Sequence, residues 1–309
     1  MEYQRRVLKW GAGFIVLAAV LRLLSAGFFQ QPGVASLLLY METGRLIRFD
    51  GVAETLPEAT EPPKAEAPEK KPLVFTEDEV IPVQNHTGYQ PDLPALLTQP
   101  LSWAVSEGPT VLILHTHATE TYTGADIAYS GAYRTKELAY NMVSIGAEVA
   151  RVLTAGGIGV LHDQTLHDWP NYSIAYDAAR ETMAEYLRKY PSIRLVLDIH
   201  RDAAGGTGEL VTAATVAGQR AAQLMLVVGT QSETWQENLS LALKVSALLE
   251  RTDPGISRPI DLRKERFNMD LSVGSLLVEV GATGNTHEEA LIAANALAQA
   301  VMELLMDNG

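Results

Sequence analysis

The stretch "VLILHTHATE" (111–120) joins four apolar residues directly to two histidines and a glutamate. Four apolar residues in a row are typical of a short strand that is buried on both faces. Ionisable side chains are costly to bury without a partner. We therefore expect the polar groups that end this strand, His115, His117 and Glu120, to share a binding partner.

Apolar runs and helical patterns alternate through the rest of the chain. Strand-like runs occupy residues 110–114, 158–162, 193–200, 209–216, 222–229 and 275–280. Helical patterns occupy residues 137–157, 173–191, 232–251 and 286–305. This alternation predicts an α/β fold, a three-layer sandwich with a mostly parallel central sheet and helices on both faces. The short link between 209–216 and 222–229 predicts a hairpin, so we expect the sheet to be mixed.

Three of these strands end in ionisable groups. His117 and Glu120 follow the first strand, His200 ends "LVLDIH", and Glu279 lies in "SLLVEV". In open α/β sheets, ligands bind beyond the carboxyl ends of the strands. The chain has no cysteine, so a metal would be held by nitrogen and oxygen ligands. The sequence therefore predicts a zinc site with a neighbouring carboxylate that moves a proton.

The spacing of these residues suggests a role for each. His117 and Glu120 are three apart and face the same way on one helical turn, so with His200 they form our predicted zinc ligands. His115 is two residues from His117 and shares its face if the strand continues, so it is either a ligand or a group that contacts the transition state. Glu279 is the predicted general base.

Arg201 is the cationic group nearest to this predicted site in the sequence. We expect it to stabilise the negative charge that develops on the carbonyl oxygen during hydrolysis. A simpler interpretation is an ion pair with Asp198 or Asp202. Asp198 lies on the same face as His200 by strand alternation, so it is a candidate to orient that imidazole.

The N-terminal third of the chain predicts a tether. Basic residues precede an apolar stretch that is long enough to cross a bilayer, so 1–30 is predicted as a cytoplasmic N-terminus and a transmembrane signal anchor. Residues 31–99 include a stretch rich in proline and glutamate and are predicted as an extracytoplasmic spacer. The catalytic domain is predicted at 100–309. The formal net charge of -13 makes nucleic acid an unsuitable partner.

These residues lie in blocks that resemble the stage II sporulation protein P family of spore-forming bacteria. The blocks occur in order over about residues 100–305: "VLILHTHATETY", "YRTKELAYNMVSIGAEVARVL", "GIGVLHDQTLHDWPNYSIAY", "YPSIRLVLDIHRDA", "VVGT" with "WQENLSLALKV", and "FNMDLSVGSLLVEVGATGNTHEEA". The resemblance implies a zinc-dependent peptidoglycan hydrolase, an N-acetylmuramoyl-L-alanine amidase also credited with endopeptidase activity. It implies partners, the stage II sporulation proteins D and M, and a place in the mother-cell membrane that engulfs the forespore.

The resemblance also bears on the ligands. The layout is similar to zinc carboxypeptidases, whose ligands match His117, Glu120 and His200, and to wall amidases, whose late glutamate matches Glu279. Wall amidases take a glutamate ligand from the start of the first helix, which here is Glu137, so Glu137 competes with Glu120. Two other functions stay open, a zinc peptidase that acts only on stem peptides and a metal-free scaffold that binds the wall.

Overall fold

The computed structural model describes residues 72–123, 133–203 and 210–307, which contain nine β-strands and five α-helices. The strands are β1 (Val83–Asn85), β2 (Val111–Leu114), β3 (Val160–His162), β4 (Leu195–Asp202), β5 (Ala214–Val216), β6 (Gln219–Ala221), β7 (Leu224–Gly229), β8 (Ile260–Arg263) and β9 (Ser275–Ala282). The helices are α1 (Leu93–Thr98), α2 (Met142–Ala155), α3 (Ala175–Lys189), α4 (Trp235–Thr252) and α5 (His287–Asp307). The predicted anchor, 1–30, and residues 31–71 of the predicted spacer lie outside the described residues.

Seven of the described strands form one sheet in the order β1-β8-β7-β9-β4-β2-β3. β9, β4, β2 and β3 run parallel to one another, and so do β1, β8 and β7. The two blocks meet where β7 pairs antiparallel with β9. The predicted α/β fold with a mixed sheet is therefore confirmed, and β2, β4 and β9 end at the same edge.

The reason for the mixed sheet differs from the prediction. Residues 209–216 and 222–229 do not form a hairpin within the main sheet. Instead β5 and β6 form a separate two-stranded ribbon, with Val216 opposite Gln219. The next strand, β7, enters the main sheet beside β9. The turn lies earlier than expected because Ala217 and Gly218 both adopt positive φ and reverse the chain there.

Residues 72–99 are part of the folded body. β1 extends the sheet by pairing with β8, and α1 packs against α4. The sequence places these residues in the spacer because three residues of strand and six of helix give too few positions for a periodic pattern.

The two faces of the sheet are covered unequally. The main core packs one face against α2, α4 and α5. On the other face, α3 packs over β2 and β4 through Ala179 and Met183. Over β7 and β9 this second face carries a small cluster of Met225, Val227, Leu277 and Met269, with Phe267 packed against it. Helix α3 does not extend over this part of the sheet.

One described helix, α5, is long and apolar enough to cross a membrane by length and composition. Its apolar window is 61% buried inside the protein, and residues such as Leu297 and Val301 belong to the main core. We therefore describe α5 as a core helix.

Lys244 of α4 is a buried amine that holds the end of α1. Its Nζ donates to the carbonyl oxygens of Leu96 at 3.1 Å and Leu97 at 2.7 Å, and to Oγ of Ser240 at 2.9 Å. These contacts satisfy carbonyls that a helix end leaves without partners. Burial lowers the pKa of Lys244 from its ordinary 10.5 to about 8.

This pKa predicts how stability changes with pH. Between about pH 8 and pH 10.5 the unfolded chain binds more protons at Lys244 than the folded chain does, so the free energy of unfolding should rise with pH across this window. Chemical denaturation at several pH values should show the rise in the wild type and a flatter profile in Lys244→Met. The exposed Lys264→Met is the control and should keep the rise. Parallel profiles for the wild type and Lys244→Met would contradict the assignment.

Candidate active site

The strands that end at one edge of the sheet bring most of the predicted site residues together. His200 of β4 and Glu279 of β9 are paired in register, and β2 lies beside β4. A cavity of about 450 Å³ opens at this edge, and His117, Glu120, His200, Arg201 and Glu279 all contribute to its lining.

The turn after β2 is fixed to the neighbouring strand. Thr116 donates from its backbone N–H to Oδ1 of Asp198 at 2.8 Å and from its hydroxyl to Oδ2 at 2.6 Å. The backbone N–H of Glu120 donates to the carbonyl of His117 at 3.1 Å, which closes the turn. His117 and Glu120 are therefore held on one compact turn.

His117 is buried and presents an open ring nitrogen. Its ring stacks on Tyr172 at 4.2 Å between centroids and meets the edge of the His200 ring at 5.3 Å. Its Nδ1 has no hydrogen-bond partner in the described part of the chain. Burial, and next the charge of His200, lower the pKa of His117 to about 3, so the imidazole is neutral and its nitrogen lone pair is available.

Glu120 and Arg201 form a buried ion pair. Oε1 of Glu120 lies 3.4 Å from Nη1 of Arg201, and Oε2 accepts the backbone N–H of Arg201 at 3.4 Å. Burial raises the pKa of Glu120, although Arg201 opposes this effect. The Nε of Arg201 donates to the carbonyl of Thr121 at 3.1 Å, so the guanidinium also holds the segment after the turn.

His200 lies among carboxylates. Its Nε2 is 2.9 Å from Oδ1 of Asp198, and its Nδ1 is 3.8 Å from Oε2 of Glu120. Burial opposes charging of this ring, but Asp198 and then Glu120 and Glu279 outweigh it and raise the pKa of His200 to about 9. Burial likewise disfavours ionisation of Asp198, but His200 and Thr116 lower the pKa of Asp198 to about 2.

Glu279 is a half-buried residue with an enclosed carboxyl oxygen, and its carboxyl is suited to proton transfer. Its Oε2 finds no hydrogen-bond partner among the described residues. Burial, with added repulsion from Glu120 and Asp202, raises the pKa of Glu279 to about 8. A carboxyl with this pKa can both take up and release a proton near neutral pH.

His115 is not among the described residues that line the pocket. The ring is fully buried, with Nδ1 at 3.1 Å from the carbonyl of Ile199 and Nε2 at 3.0 Å from Nε2 of His162. Burial, and next His162, lower the pKa of His115 to about 3, so the ring is neutral. Its contact with Ile199 fixes the strand position next to His200.

The contact between buried His115 and half-buried His162 leaves little room for a side chain on α2. A Cβ added to Gly146 would lie 2.6 Å from the His115 ring and 2.8 Å from Nε2 of His162. We expect Gly146→Ala to destabilise the protein by about 1–3 kcal/mol through overpacking, although alanine favours a helix intrinsically. Urea unfolding measures this change. Gly88→Ala is the matched control, because no described atom lies within 4 Å of its added Cβ. Equal losses in the two variants would contradict the packing argument.

The second glutamate considered as a ligand lies elsewhere. Glu137 is exposed, its backbone N–H donates to Oγ1 of Thr135, and it is absent from the described lining of the pocket. Sequence reasoning missed Tyr172 and Tyr176, which line the pocket beside His117. The aromatic spacing "NYSIAY" was the available signal.

The donor set of the pocket fits zinc. Zinc binds imidazole nitrogen and carboxylate oxygen, and the pocket offers the open Nδ1 of His117 together with Glu120 and His200. The carboxylates that raise the pKa of His200 also favour a bound cation. Within the described ranges, however, no three His, Asp or Glu side chains already stand at coordination spacing around one point.

The fold and the pocket define a class of protein, an α/β protein with a buried histidine–carboxylate site of the type that carries out acid–base chemistry. The chain belongs to the Stage II sporulation protein P (SpoIIP) family, whose sequence profile matches residues 52–302. It is 27% identical over 290 residues to Stage II sporulation protein P of Bacillus subtilis (strain 168). The aligned region covers 90% of this chain and 69% of that relative.

Solved structures give weaker similarities. The N-acetylmuramoyl-L-alanine amidase AmiC2 of Nostoc punctiforme aligns with a TM-score of 0.40 and 14% identity, over 65% of this chain and 97% of that one. The CwlD amidase from Clostridioides difficile, in complex with the GerS lipoprotein, aligns with a TM-score of 0.41 and 13% identity, over 64% of this chain and 96% of that one.

Proposed function

We propose that the protein is a zinc-dependent peptidoglycan hydrolase of sporulation, an N-acetylmuramoyl-L-alanine amidase. The observation that carries the proposal is the meeting of two histidines and two glutamates in one pocket, where Glu279 has a pKa of about 8. Membership of the SpoIIP family supports a role in sporulation.

In this proposal His117, Glu120 and His200 would hold zinc. When bound, zinc would polarise the scissile carbonyl and lower the pKa of a nearby water. Asp198 would orient His200 from its other side, since Oδ1 lies 2.9 Å from Nε2. The neutral state of His117 leaves its nitrogen ready to bind a cation.

Glu279 would move the proton. As a carboxylate it would accept a proton from the attacking water, and as a carboxylic acid it would pass that proton to the departing amine of L-alanine. Burial raises the pKa of this carboxyl to about 8, so both the protonated and the ionised form are populated near neutral pH. Arg201 would stabilise the pocket by holding Glu120, and its positive charge would favour the oxyanion that forms on the carbonyl.

We further propose that the catalytic body lies outside the cytoplasm on an N-terminal membrane anchor. The apolar run within 1–30 and the proline-rich composition of the segment that follows it support this arrangement. A tethered hydrolase would cut only the wall within reach of its own membrane. The stage II sporulation proteins D and M are proposed partners.

Digestion of purified sacculi tests the function. The full chain should release fragments with new free L-alanine amino termini, which mass spectrometry identifies. New ends confined to the peptide cross-links would favour a peptidase that acts only on stem peptides. A chain that binds sacculi and creates no new ends would favour the wall-binding scaffold and overturn the hydrolase.

A further inference from the structure

The pocket extends beyond the catalytic residues over β7, β8 and β9. Its floor is apolar, formed by Met225, Val227 and Leu277 of β7 and β9. Its far wall is charged and includes Asp261 and Arg263 of β8. The pocket therefore has a charged end that the proposed hydrolytic chemistry does not use.

Asp261 is a buried carboxylate in the lining of this pocket. The residue is 8% exposed, and its Oδ1 has no hydrogen-bond partner among the described residues. Nε2 of His86 lies 3.3 Å from Oδ1. A buried acceptor of this kind favours a cationic donor from a ligand.

Arg263 lies beside Asp261, and its ion pairs within the protein are weak. Its side chain is 41% exposed, with Nη1 at 3.4 Å from Oδ2 of Asp261 and Nε at 3.2 Å from Oε2 of Glu265. Exposed ion pairs at such distances contribute little to stability. The guanidinium can therefore exchange these contacts for a carboxylate of a ligand at low cost.

The sheet sets the distance between this charged end and the catalytic residues. Asp261 pairs with Val227, Val227 pairs with Leu277, and Glu279 lies two residues further along β9. Two strand spacings across and two residues along give about 12 Å between the Cα atoms of Asp261 and Glu279. An extended peptide advances about 3.3–3.6 Å per residue, so this distance corresponds to roughly three residues.

From this geometry we propose that Asp261 and Arg263 bind an α-amino-carboxylate group at the end of a substrate side chain, with the ammonium on Asp261 and the carboxylate on Arg263. This inference rests on the proposed function. It selects stem peptides whose third residue from the scissile amide carries both an amino and a carboxylate group at its tip.

Binding of two free tripeptides to the full wild-type chain tests this proposal by calorimetry. The peptides are L-alanyl-γ-D-glutamyl-diaminopimelate and the same peptide with L-lysine in third place, which lacks the terminal carboxylate and keeps the amine. Neither contains the muramoyl amide, so binding is measured without amidase turnover. We expect the diaminopimelate peptide to bind about 10- to 100-fold more tightly, as for one charge-assisted contact.

Variants assign the selectivity to the two side chains. Arg263→Gln should bring the ratio of the two affinities close to one, and Asp261→Asn should weaken both peptides. Arg266→Gln is the matched control, because this arginine lies outside the described pocket lining and pairs with Asp270, so it should keep the ratio. Equal affinities in the wild type, or an unchanged ratio in Arg263→Gln, would overturn the inference.

The same peptides attached to a muramoyl group separate this inference from the proposed function. Cleavage of both at rates that follow the binding ratio supports both proposals. Selective binding without cleavage of either muramoyl peptide would overturn the amidase and leave the recognition of the amino-carboxylate group standing.

Discussion

Replacing Glu279 with glutamine is expected to lower kcat for hydrolysis of the wall by about 10²–10⁴-fold, the usual contribution of a general acid–base group. Glutamine has nearly the shape of the protonated carboxyl, so the half-buried position next to His200 should keep its packing. It cannot accept and release a proton, so the loss should fall on kcat and much less on KM. The rate of release of L-alanine amino termini from sacculi measures the effect.

The matched control for this substitution is Glu303→Gln. Glu303 is exposed on α5 and lies outside the described lining of the pocket, so its variant should hydrolyse sacculi at the wild-type rate. Thermal unfolding of Gln-substituted chains separates a folding defect from a catalytic one. Full activity in Glu279→Gln would remove Glu279 from the mechanism, and an equal loss in Glu303→Gln would point to a general effect of charge.

The sequence could predict those parts of the fold and the site that depend on local pattern. Four apolar residues before His115 predict β2, and the polar group at each strand end predicts the edge where His117, His200 and Glu279 meet. These features follow from the cost of burying ionisable groups and from the parallel direction of β2, β4 and β9. Both causes are visible in a single sequence.

Features that depend on pairing between distant segments could not be predicted in this way. β1 has three residues and β8 has four, and each is a strand because of its partner rather than its own pattern. The charged wall with Asp261 was therefore missed. The role of His115 could not be predicted either, because strand alternation does not reveal that its ring packs against Gly146 and His162.

The position at which a helix begins also could not be predicted from the apolar pattern alone. The helical pattern begins at residue 137, but α2 begins at Met142. Asn141 ends the preceding turn, and its side-chain oxygen accepts the backbone N–H of Val143 at 3.0 Å, which caps the helix there. The asparagine is visible in the sequence. The spacing of apolar residues alone, however, does not reveal that the helix begins immediately after it.

We expect substitutions in the pocket to have a second large effect, on the zinc content of the protein. The purified wild-type chain should hold about one zinc ion per chain after dialysis, as a site with three protein ligands does. His200→Ala should hold less than about a tenth of that amount, because it removes one ligand. Asp198→Asn should lower the affinity for zinc by about 10- to 100-fold, the usual cost of losing the group that orients a metal-bound histidine. Plasma mass spectrometry and competition with a chelator measure these values.

A histidine outside the pocket provides the control for zinc binding. His287 starts α5 and contacts Oγ of Ser144 at 2.7 Å, away from the described pocket lining, so His287→Ala should keep the zinc of the wild type. Equal zinc in all variants would show that the metal binds elsewhere on the chain. A wild-type chain that holds no zinc, and still releases L-alanine amino termini in the presence of a chelator, would show that Glu279 works without a metal.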